Sequence, residues 1–409
     1  MDLLLLQYGT SFGILWLMPS PEPEMEPMLP SEGSTDLHDR ALDLVAKANR
    51  LAGQLPAQVQ LAVGDLVRSM NCYYSNLIEG HDTHPRDIDR ALADDYHKDP
   101  KRRALQIEAR AHIELQRKID SRTDPSDAPT SRAYLQWLHA EFCGHLPDEL
   151  LWVQNPDTGE RVRVTPGVFR ERGVQVGRHV PPPGDELPKF LCRFEEAYCS
   201  RGLSKAMAIV ATAAAHHRLL WIHPFLDGNG RVARLMSHAM LLRNGVGSSL
   251  WSVARGLARH VERYKASLMA ADQRRYNDLD GRGTLSEQRL REFCLFFLDA
   301  AVGQVEFMES LLQPPELLRR MKLYIDDEVA AGRLARGSLA LLREAFLAGE
   351  LERGRASEIT GYRERRGRQI LADLLQRGLL VSQGPRAPVR LGFPLEAAER
   401  LFPRLYPVD

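Results

Sequence analysis

Apolar residues recur every three or four positions along most of the chain from Leu37 to Met321, in a background rich in Ala, Leu, Arg and Glu. Because this spacing places apolar side chains on one face of a helix, the sequence predicts an α-rich protein. Residues 161–180 depart from the pattern, since valines there alternate with polar residues around Pro166 and Gly167, as in a β-hairpin. The alternating valines are Val162, Val164, Val174 and Val176.

The pattern divides the chain into four stretches. Residues 1–34 contain a run rich in Pro, Glu and Met, and we expect this segment to be disordered and to carry no chemistry. Residues 35–125 form an N-terminal helical region, and residues 126–312 form the helical core. Beyond the Gln313-Pro314-Pro315 break, residues 313–409 form a small appended domain.

The first apolar run, between Leu3 and Met18, lacks the chemistry of a secretion signal. Asp2 lies where positive charge belongs, and no Lys or Arg occurs before Arg40. Polar residues interrupt the run, so it is also too short to span a bilayer. We therefore expect no membrane association.

Composition narrows the class further. Apolar residues make up 44% and charged residues 26% of the 409 residues, which excludes disordered, collagen-like and disulfide-rich classes. The 54 basic residues balance 54 acidic residues, so any nucleic-acid surface must be local. The five cysteines are scattered and form no CxxC pair, which argues against a disulfide framework or a zinc site and favours a reducing, cytoplasmic compartment.

The segment richest in candidate chemistry runs from Trp221 to Arg234. Pro224 ends an apolar helix, a Gly-Asn-Gly turn follows, and a second helix begins near Arg231. Glycines lack a Cβ, so their N–H groups can approach phosphate oxygens, and the dipole of the new helix adds to the attraction. The turn at Gly228 and Gly230 therefore predicts an anion site.

The charged and titratable residues around this turn are of the types that bind phosphates and support reactions at phosphorus. Asp227 offers a hard oxygen ligand of the kind that suits phosphate-bound Mg²⁺. Arg231 and Arg234 can direct guanidinium groups at further phosphates. His223 has an ordinary pKa near neutrality and can take a proton from a hydroxyl. Each residue alone fits an ordinary turn, but their combination predicts attack of a hydroxyl on phosphorus, with no protein nucleophile.

This segment resembles the signature of the Fic family at every specified position. It reads His223-Pro224-Phe225-Leu226-Asp227-Gly228-Asn229-Gly230-Arg231-Val232-Ala233-Arg234. Members of that family typically transfer AMP from ATP to a Ser, Thr or Tyr hydroxyl of a target protein. The resemblance implies that His223 is the base, Asp227 the Mg²⁺ ligand and Arg234 the γ-phosphate clamp. It also implies that Gly228, Asn229 with its side chain, and Gly230 hold the α- and β-phosphates, with Arg231 assisting.

The predicted hairpin fits the resemblance, because its sequence is similar to the flap beside the active site of Fic proteins. Pro166 to Arg170 precede Val174, Gln175 and Val176, whose exposed edge would hold a target segment by backbone hydrogen bonds. An ordinary structural hairpin is the alternative.

Three other residues near the signature have both a functional and a structural interpretation. His216 lies on the same helix face as His223, and we expect it to be a buried structural histidine. Tyr264 and Tyr276 are candidates for stacking on adenine, although aromatic residues at helical spacing more often belong to the core.

A second motif, Ser75-Asn76-Leu77-Ile78-Glu79-Gly80, ends an apolar helix and resembles the inhibitory helix of Fic proteins. In similar proteins the inhibitory glutamate pairs with the second arginine of the signature, in the space that the γ-phosphate needs. The resemblance therefore implies that Glu79, together with Ser75, inhibits the enzyme through Arg234. The alternative is a helix-end carboxylate before an ordinary glycine stop.

The appended domain resembles a winged helix. Helices are predicted at Ser338–Leu347, Ala356–Thr360 and Arg363–Arg377, followed by strands at Leu379–Val381 and Val389–Leu391. Basic residues cluster at the start of the third helix, where they would suit contacts with DNA, namely Arg363, Arg365, Arg366 and Arg368. A protein-interaction or dimerisation domain with a solvated basic face is the alternative.

These observations predict an all-α Fic-fold core with a β-hairpin flap and a small C-terminal winged-helix-like domain. The function they predict is that of an autoinhibited protein adenylyltransferase that uses ATP and Mg²⁺. Alternatives are removal of AMP from a modified protein, transfer of another nucleotide, and a DNA-binding regulator that only senses nucleotide. Besides the target protein, the partners considered are DNA, a second copy of the chain, and the chain itself as a substrate.

Overall fold

The structure is a computed structural model, and it describes residues 25–81, 83–154, 158–199 and 202–406. Helices dominate these residues, as the sequence predicts. The first eleven helices are α1 (Thr35–Gly53), α2 (Ala57–Ile78), α3 (Pro85–Leu92), α4 (Pro100–Asp120), α5 (Arg132–Cys143), α6 (Leu187–Tyr198), α7 (Lys205–Ile222), α8 (Asn229–Arg243), α9 (Val253–Arg259), α10 (Val261–Ala271) and α11 (Glu287–Leu311). The C-terminal unit contains α12 (Pro314–Ala330), α13 (Ser338–Ala348), α14 (Ala356–Thr360), α15 (Glu364–Gln376) and α16 (Leu395–Leu401).

The strands within the described residues are short and belong to two antiparallel sheets. They are β1 (Trp152–Gln154), β2 (Arg161–Arg163), β3 (Glu350–Leu351), β4 (Leu380–Val381) and β5 (Val389–Leu391). Strands β1 and β2 form one sheet, and the other has the order β3-β5-β4.

Helix α7 lies at the centre of the core. It is apolar on every side, and its alanines, such as Ala211, Ala213 and Ala214, are almost fully buried. A helix without a polar face must be covered all round, and small side chains let its neighbours approach closely. Helices α1, α6, α8 and α11 accordingly pack against it. The turn from α7 into α8 is therefore held between packed helices.

The hairpin lies upstream of its predicted position. β1 pairs with β2, and Val153 lies opposite Val162. The predicted pairing of this strand with the valines near residue 175 is wrong, because that stretch forms only an isolated bridge between Val176 and His179. The alternation of valines is a local signal, and it does not specify which strand lies alongside.

Residues 25–34 pack against the core, so the expected disorder is wrong for this part of the segment 1–34. Met25 and Met28 are 2% and 3% exposed. The Pro27 carbonyl accepts a hydrogen bond from Arg218 Nη2 at 2.8 Å, and the Tyr198 hydroxyl donates to the Met28 carbonyl at 2.5 Å. Buried methionines thus anchor a run that its Pro and Glu content predicts to be disordered. The expectation for residues 1–24 lies outside the described residues.

The C-terminal unit contains the five elements that the sequence predicts, in the predicted order, together with α16 and a further strand that it does not predict. Its helices α13, α14 and α15 and its strands β4 and β5 lie at or within two residues of their predicted positions. The sequence did not predict β3, which is two residues long and completes the sheet. The apolar stripe of α15 is buried, with Ile370, Leu371 and Leu374 facing inward. Its winged-helix character stays a prediction.

The C-terminal unit packs on the N-terminal region. Strand β5 lies against α2, and α16 lies against α3. The Tyr74 hydroxyl, in the last turns of α2, donates to the Leu405 carbonyl at 3.1 Å. Among the described residues, no helix has both the length and the hydropathy needed to cross a lipid bilayer.

Candidate functional site

His223 lies at the point where α7 ends. Its N–H still donates to the Leu219 carbonyl at 2.9 Å, but its backbone is left-handed, with φ 49° and ψ 61°. This region is unusual for a residue other than glycine, asparagine or aspartate. Pro224 follows and cannot continue the helix. The chain therefore turns sharply at the predicted base.

Helix α8 begins at the Gly-Asn-Gly turn, as predicted. Gly228 is its N-cap and has a positive φ of 78°, which glycine adopts without strain. The first N–H groups of a helix have no partner within that helix, and the helix dipole makes this end positive. The start of α8 is therefore suited to an anion, as the sequence predicts.

The Asn229 side chain closes this turn. Its Oδ1 accepts a hydrogen bond from the Phe225 N–H at 2.9 Å, and its Nδ2 donates to the Phe225 carbonyl at 2.8 Å. Both ends of the amide are thus engaged by one backbone residue. The resemblance places this side chain on the phosphates, whereas in the structure it shapes the loop that would hold them.

His139 on α5 also holds this loop in place, and the sequence did not indicate this role. Its Nδ1 accepts from the Gly167 N–H at 2.8 Å, which leaves Nε2–H to donate to the Asp227 carbonyl at 3.2 Å. Its ring stacks on Phe225, with centroids 4.0 Å apart. Burial lowers the pKa of His139 to about 4, so the ring is neutral at pH 7.

Glu79 reaches this anion site from the end of α2. Gly80 has a φ of +81°, its N–H donates to the Leu77 carbonyl, and the N–H of the next residue, His81, donates to the Asn76 carbonyl. This pair of bonds is a Schellman stop, so the glycine stop that the sequence offers as the alternative is also present. It ends the helix with the Glu79 side chain directed at α8.

The Glu79 carboxylate lies directly over Gly230. A Cβ built on Gly230 would lie 2.3 Å from Glu79 Oε1, so no other residue fits here while the carboxylate is in place. The carboxylate is therefore an anion placed against the first turn of α8. It occupies space that the sequence assigns to phosphates.

Arg234 joins the two motifs. Its Nη2 lies 2.5 Å from Glu79 Oε1, its Nε donates to Ser75 Oγ at 2.9 Å, and its Nη2 also reaches the Ser75 carbonyl at 3.2 Å. Burial acts to raise the pKa of Glu79, but the charges of Arg234 and Arg231 hold that pKa below its usual value. Glu79 is therefore an ionised partner of Arg234, in the pairing that the resemblance implies.

Arg231 is engaged elsewhere. Its Nη2 lies 2.5 Å from Oε1 of Glu108, a buried carboxylate on α4, and 3.1 Å from His81 Nδ1. The hydrogen bond that His81 donates to Glu108 raises the pKa of His81. The resemblance places Arg231 at the phosphates, whereas in the structure it ties α8 to α4 and to the end of α2.

His223 itself is largely buried beside this loop. Burial, and next the charge of Arg170, lower the pKa of His223 to about 4. The imidazole is therefore neutral near pH 7, which is the form that can accept a proton. The sequence could not show this shift, because it arises from packing and from residues distant along the chain, such as Arg170.

Asp227 has the chemistry expected of a Mg²⁺ ligand. Its side chain is exposed at the loop, and Oδ1 accepts from the Gly228 N–H at 2.6 Å. Within the described residues, no group of three or more His, Cys, Asp or Glu forms a ready-made metal cluster. A single carboxylate beside an anion site is nevertheless a typical Mg²⁺ arrangement, because this ion takes most of its remaining ligands from phosphates and water.

The two tyrosines differ in position. Tyr264 is 2% exposed, and its hydroxyl lies 2.7 Å from Nε2 of the buried His216. That hydrogen bond places both residues in the core, as expected for His216, and shows that Tyr264 is not free to stack on adenine. Tyr276 is 55% exposed and bonds through its hydroxyl to Arg289.

The predicted flap residues Val174, Gln175 and Val176 lie in an exposed loop rather than on a strand. The Val176 and His179 backbones exchange hydrogen bonds of 2.9 and 3.0 Å. His179 Nε2 in turn donates to the Trp221 carbonyl at 2.7 Å, two residues before His223. The loop is thus attached to the end of α7.

Comparisons with known proteins agree with this site. The sequence profile of the Fic/DOC family matches residues 129–241. Two curated relatives, each named protein adenylyltransferase Fic, come from Drosophila erecta and Drosophila willistoni and are 42% and 43% identical to this chain over 79 residues. That alignment covers 19% of this chain but only 16% of either relative's length.

A crystal structure of a Fic family protein from Desulfovibrio desulfuricans G20 is similar in fold. It has a TM-score of 0.50 and 18% sequence identity, and the match covers 90% of this chain and 98% of that one.

Proposed function

We propose that this chain, whose residues 129–241 match the Fic/DOC family, is a protein adenylyltransferase of the Fic type that Glu79 holds in an inhibited state. The reaction is transfer of AMP from ATP to a Ser, Thr or Tyr hydroxyl of a target protein. The observation that carries the proposal is the position of His223 at the end of α7, beside the glycine turn that opens α8. The printed names of the curated relatives support it.

In this mechanism His223 acts as the general base. The target hydroxyl gives its proton to the imidazole, its oxygen bonds to the α-phosphorus of ATP, and the bond from that phosphorus to pyrophosphate breaks. A pKa of about 4 makes the free imidazole a weak base. The negative charge of bound phosphates acts to raise that pKa, which brings it nearer to the working pH.

The start of α8 binds the phosphates, and Arg234 holds the γ-phosphate once Glu79 has moved away. Asp227 would hold Mg²⁺, which supplies charge neutralisation to the leaving phosphates. The exposed loop that contains Val174, Gln175 and Val176, which His179 attaches to the end of α7, contacts the target segment.

Inhibition follows from competition for one site. The Glu79 carboxylate lies over Gly230 and pairs with Arg234, so the γ-phosphate and Glu79 cannot occupy this space together. A guanidinium engaged with a carboxylate cannot also hold ATP in the alignment needed for attack. Ser75 stabilises the inhibited arrangement, because its hydroxyl and carbonyl both accept from Arg234.

The first prediction is that His223→Ala lowers transfer about a hundredfold to ten-thousandfold, which is the usual cost of losing a general base. ATP binding should persist, because the start of α8 and Arg234 are unchanged. Transfer of ³²P from α-labelled ATP to protein measures the first quantity, and calorimetric titration with ATP measures the second. Undiminished transfer by a folded His223→Ala protein would refute the role of His223.

The second prediction concerns the order of activities. Glu79→Gly should exceed wild type in target modification and self-modification, and Arg234→Ala should reduce the activity of Glu79→Gly. Glu149→Gly removes an exposed carboxylate from another loop and serves as the control. If Glu79→Gly is no more active than wild type, the inhibitory role is wrong.

Labelled UTP and GTP, and an adenylylated target, separate the related alternatives in the same assay. Faster transfer from UTP or GTP would indicate a different nucleotide. Loss of AMP from the modified target, dependent on Glu79, would indicate a de-AMPylase.

The C-terminal unit supports a second function, which is DNA binding. The first two turns of α15 expose the side chains of Arg365, Arg366 and Arg368, and Arg363 precedes them at the N-cap. Basic residues at the start of a helix suit contacts with DNA phosphates.

The third prediction is that Arg365→Glu with Arg366→Glu weakens DNA binding and reduces its dependence on salt, because phosphate contacts release counterions. Arg319→Glu with Lys322→Glu, on the exposed side of α12, is a control of equal charge change. Fluorescence anisotropy at several salt concentrations measures both quantities. No binding of duplex DNA by wild type at low salt would contradict the DNA-binding function.

A further inference from the structure

Arg170 is a buried arginine beneath the base. It is 3% exposed, and its side chain donates to the carbonyls of His223 at 2.7 Å, Pro182 at 2.6 Å, Arg172 at 2.7 Å and Ile222 at 3.2 Å. Its own N–H donates to the Pro224 carbonyl at 2.9 Å. The residue thus holds three consecutive peptide carbonyls at the end of α7.

These carbonyls need such a partner. The last carbonyls of a helix receive no hydrogen bond from an N–H group of that helix. A cation near them also interacts favourably with the helix dipole. The left-handed backbone of His223 also costs free energy, so it persists only where its surroundings enforce it. Arg170 donates hydrogen bonds to the peptide carbonyls before and after this residue, as well as to its own carbonyl.

The charge of Arg170 is also unusual. Among the ion pairs of the described residues none involves it, so its guanidinium is balanced by carbonyl dipoles alone. A buried cation beside an imidazole disfavours a second positive charge there. Burial is the largest cause of the lowered pKa of His223, and the charge of Arg170 is the second. Burial also lowers the pKa of Arg170 itself.

We propose that Arg170 is a positioning residue for the transfer reaction, and that it fixes the backbone from which the His223 imidazole takes the hydroxyl proton. This proposal rests on the proposed function of His223. The loop of residues 164–180 therefore has two roles: Val174, Gln175 and Val176 meet the target, and the buried Arg170 positions the base. The residues that contact the target and the residue that positions His223 are thus only a few positions apart in one loop.

The test compares Arg170→Lys and Arg170→Gln with Arg172→Gln, all in the Glu79→Gly background. Arg172 lies on the same loop, but its side chain is exposed and pairs with Glu160, so it serves as the matched control. Both Arg170 variants should lose about a hundredfold in kcat, the cost of a misplacement of about 1 Å, while KM for ATP stays near that of the control.

The acid limb of the pH dependence of kcat separates the effect of the Arg170 charge from the effect of its position. Arg170→Gln removes the positive charge, so the pKa of His223 and the acid limb should rise, whereas Arg170→Lys keeps the charge and should leave them lower. Titration of ¹³C-labelled histidines by NMR, with the His223 signal assigned from its loss in His223→Ala, measures this pKa without any assay of activity. Failure of the proposed function would therefore leave this measurement valid.

Two results would overturn the proposal. One is a folded Arg170→Gln protein whose kcat matches that of Arg172→Gln. The other is a fall in melting temperature with an unchanged kcat for the folded fraction and an unchanged His223 titration, which would make Arg170 a purely structural residue.

Discussion

The start of α8 is one positive site with two possible occupants. The helix end, Gly230 and Arg234 together attract an anion, and in this structure the Glu79 carboxylate fills that place. In the function that we propose, nucleotide phosphates bind at the same helix end and to the same arginine. The balance between a tethered carboxylate and a soluble triphosphate therefore determines the state of the enzyme that we propose.

The structure stabilises the tethered occupant from several sides. Gly80 ends α2 in a Schellman stop, and Ser75 bonds Arg234. The buried Glu108 joins Arg231 to His81, which directly follows that stop. Each contact acts on the last turns of α2, and none of them involves His223.

The C-terminal unit adds another support to the same helix. The Tyr74 hydroxyl bonds the Leu405 carbonyl, and the rings of Tyr73 and Tyr406 meet edge to face with centroids 5.7 Å apart. Ser75 directly follows Tyr73 and Tyr74. Packing of the last described residues against these two tyrosines therefore helps to hold the helix that carries Glu79.

Local sequence patterns predicted those parts of the molecule that depend on neighbours along the chain. The turn at Gly228, the stop at Gly80, and α13, α14, α15, β4 and β5 of the C-terminal unit follow from spacing and from glycine or proline chemistry. The pairing of Glu79 with Arg234 came from the family resemblance. Partners across helices could not be predicted in this way: Glu108 and His139 lie on amphipathic helices whose spacing does not say which residue they meet. The hairpin was misplaced for the same reason.

The most direct measurement of the central competition is calorimetric titration of wild type and Glu79→Gln with Mg-ATP and with Mg-ADP. Glu79→Gln keeps the shape of the side chain and removes its charge. Because a charge-assisted hydrogen bond contributes about 1.5–3 kcal/mol, ATP affinity should rise about tenfold to a hundredfold. ADP lacks the γ-phosphate that competes for Arg234, so its affinity should rise much less. Equal changes for both nucleotides, or no change for ATP, would contradict the account.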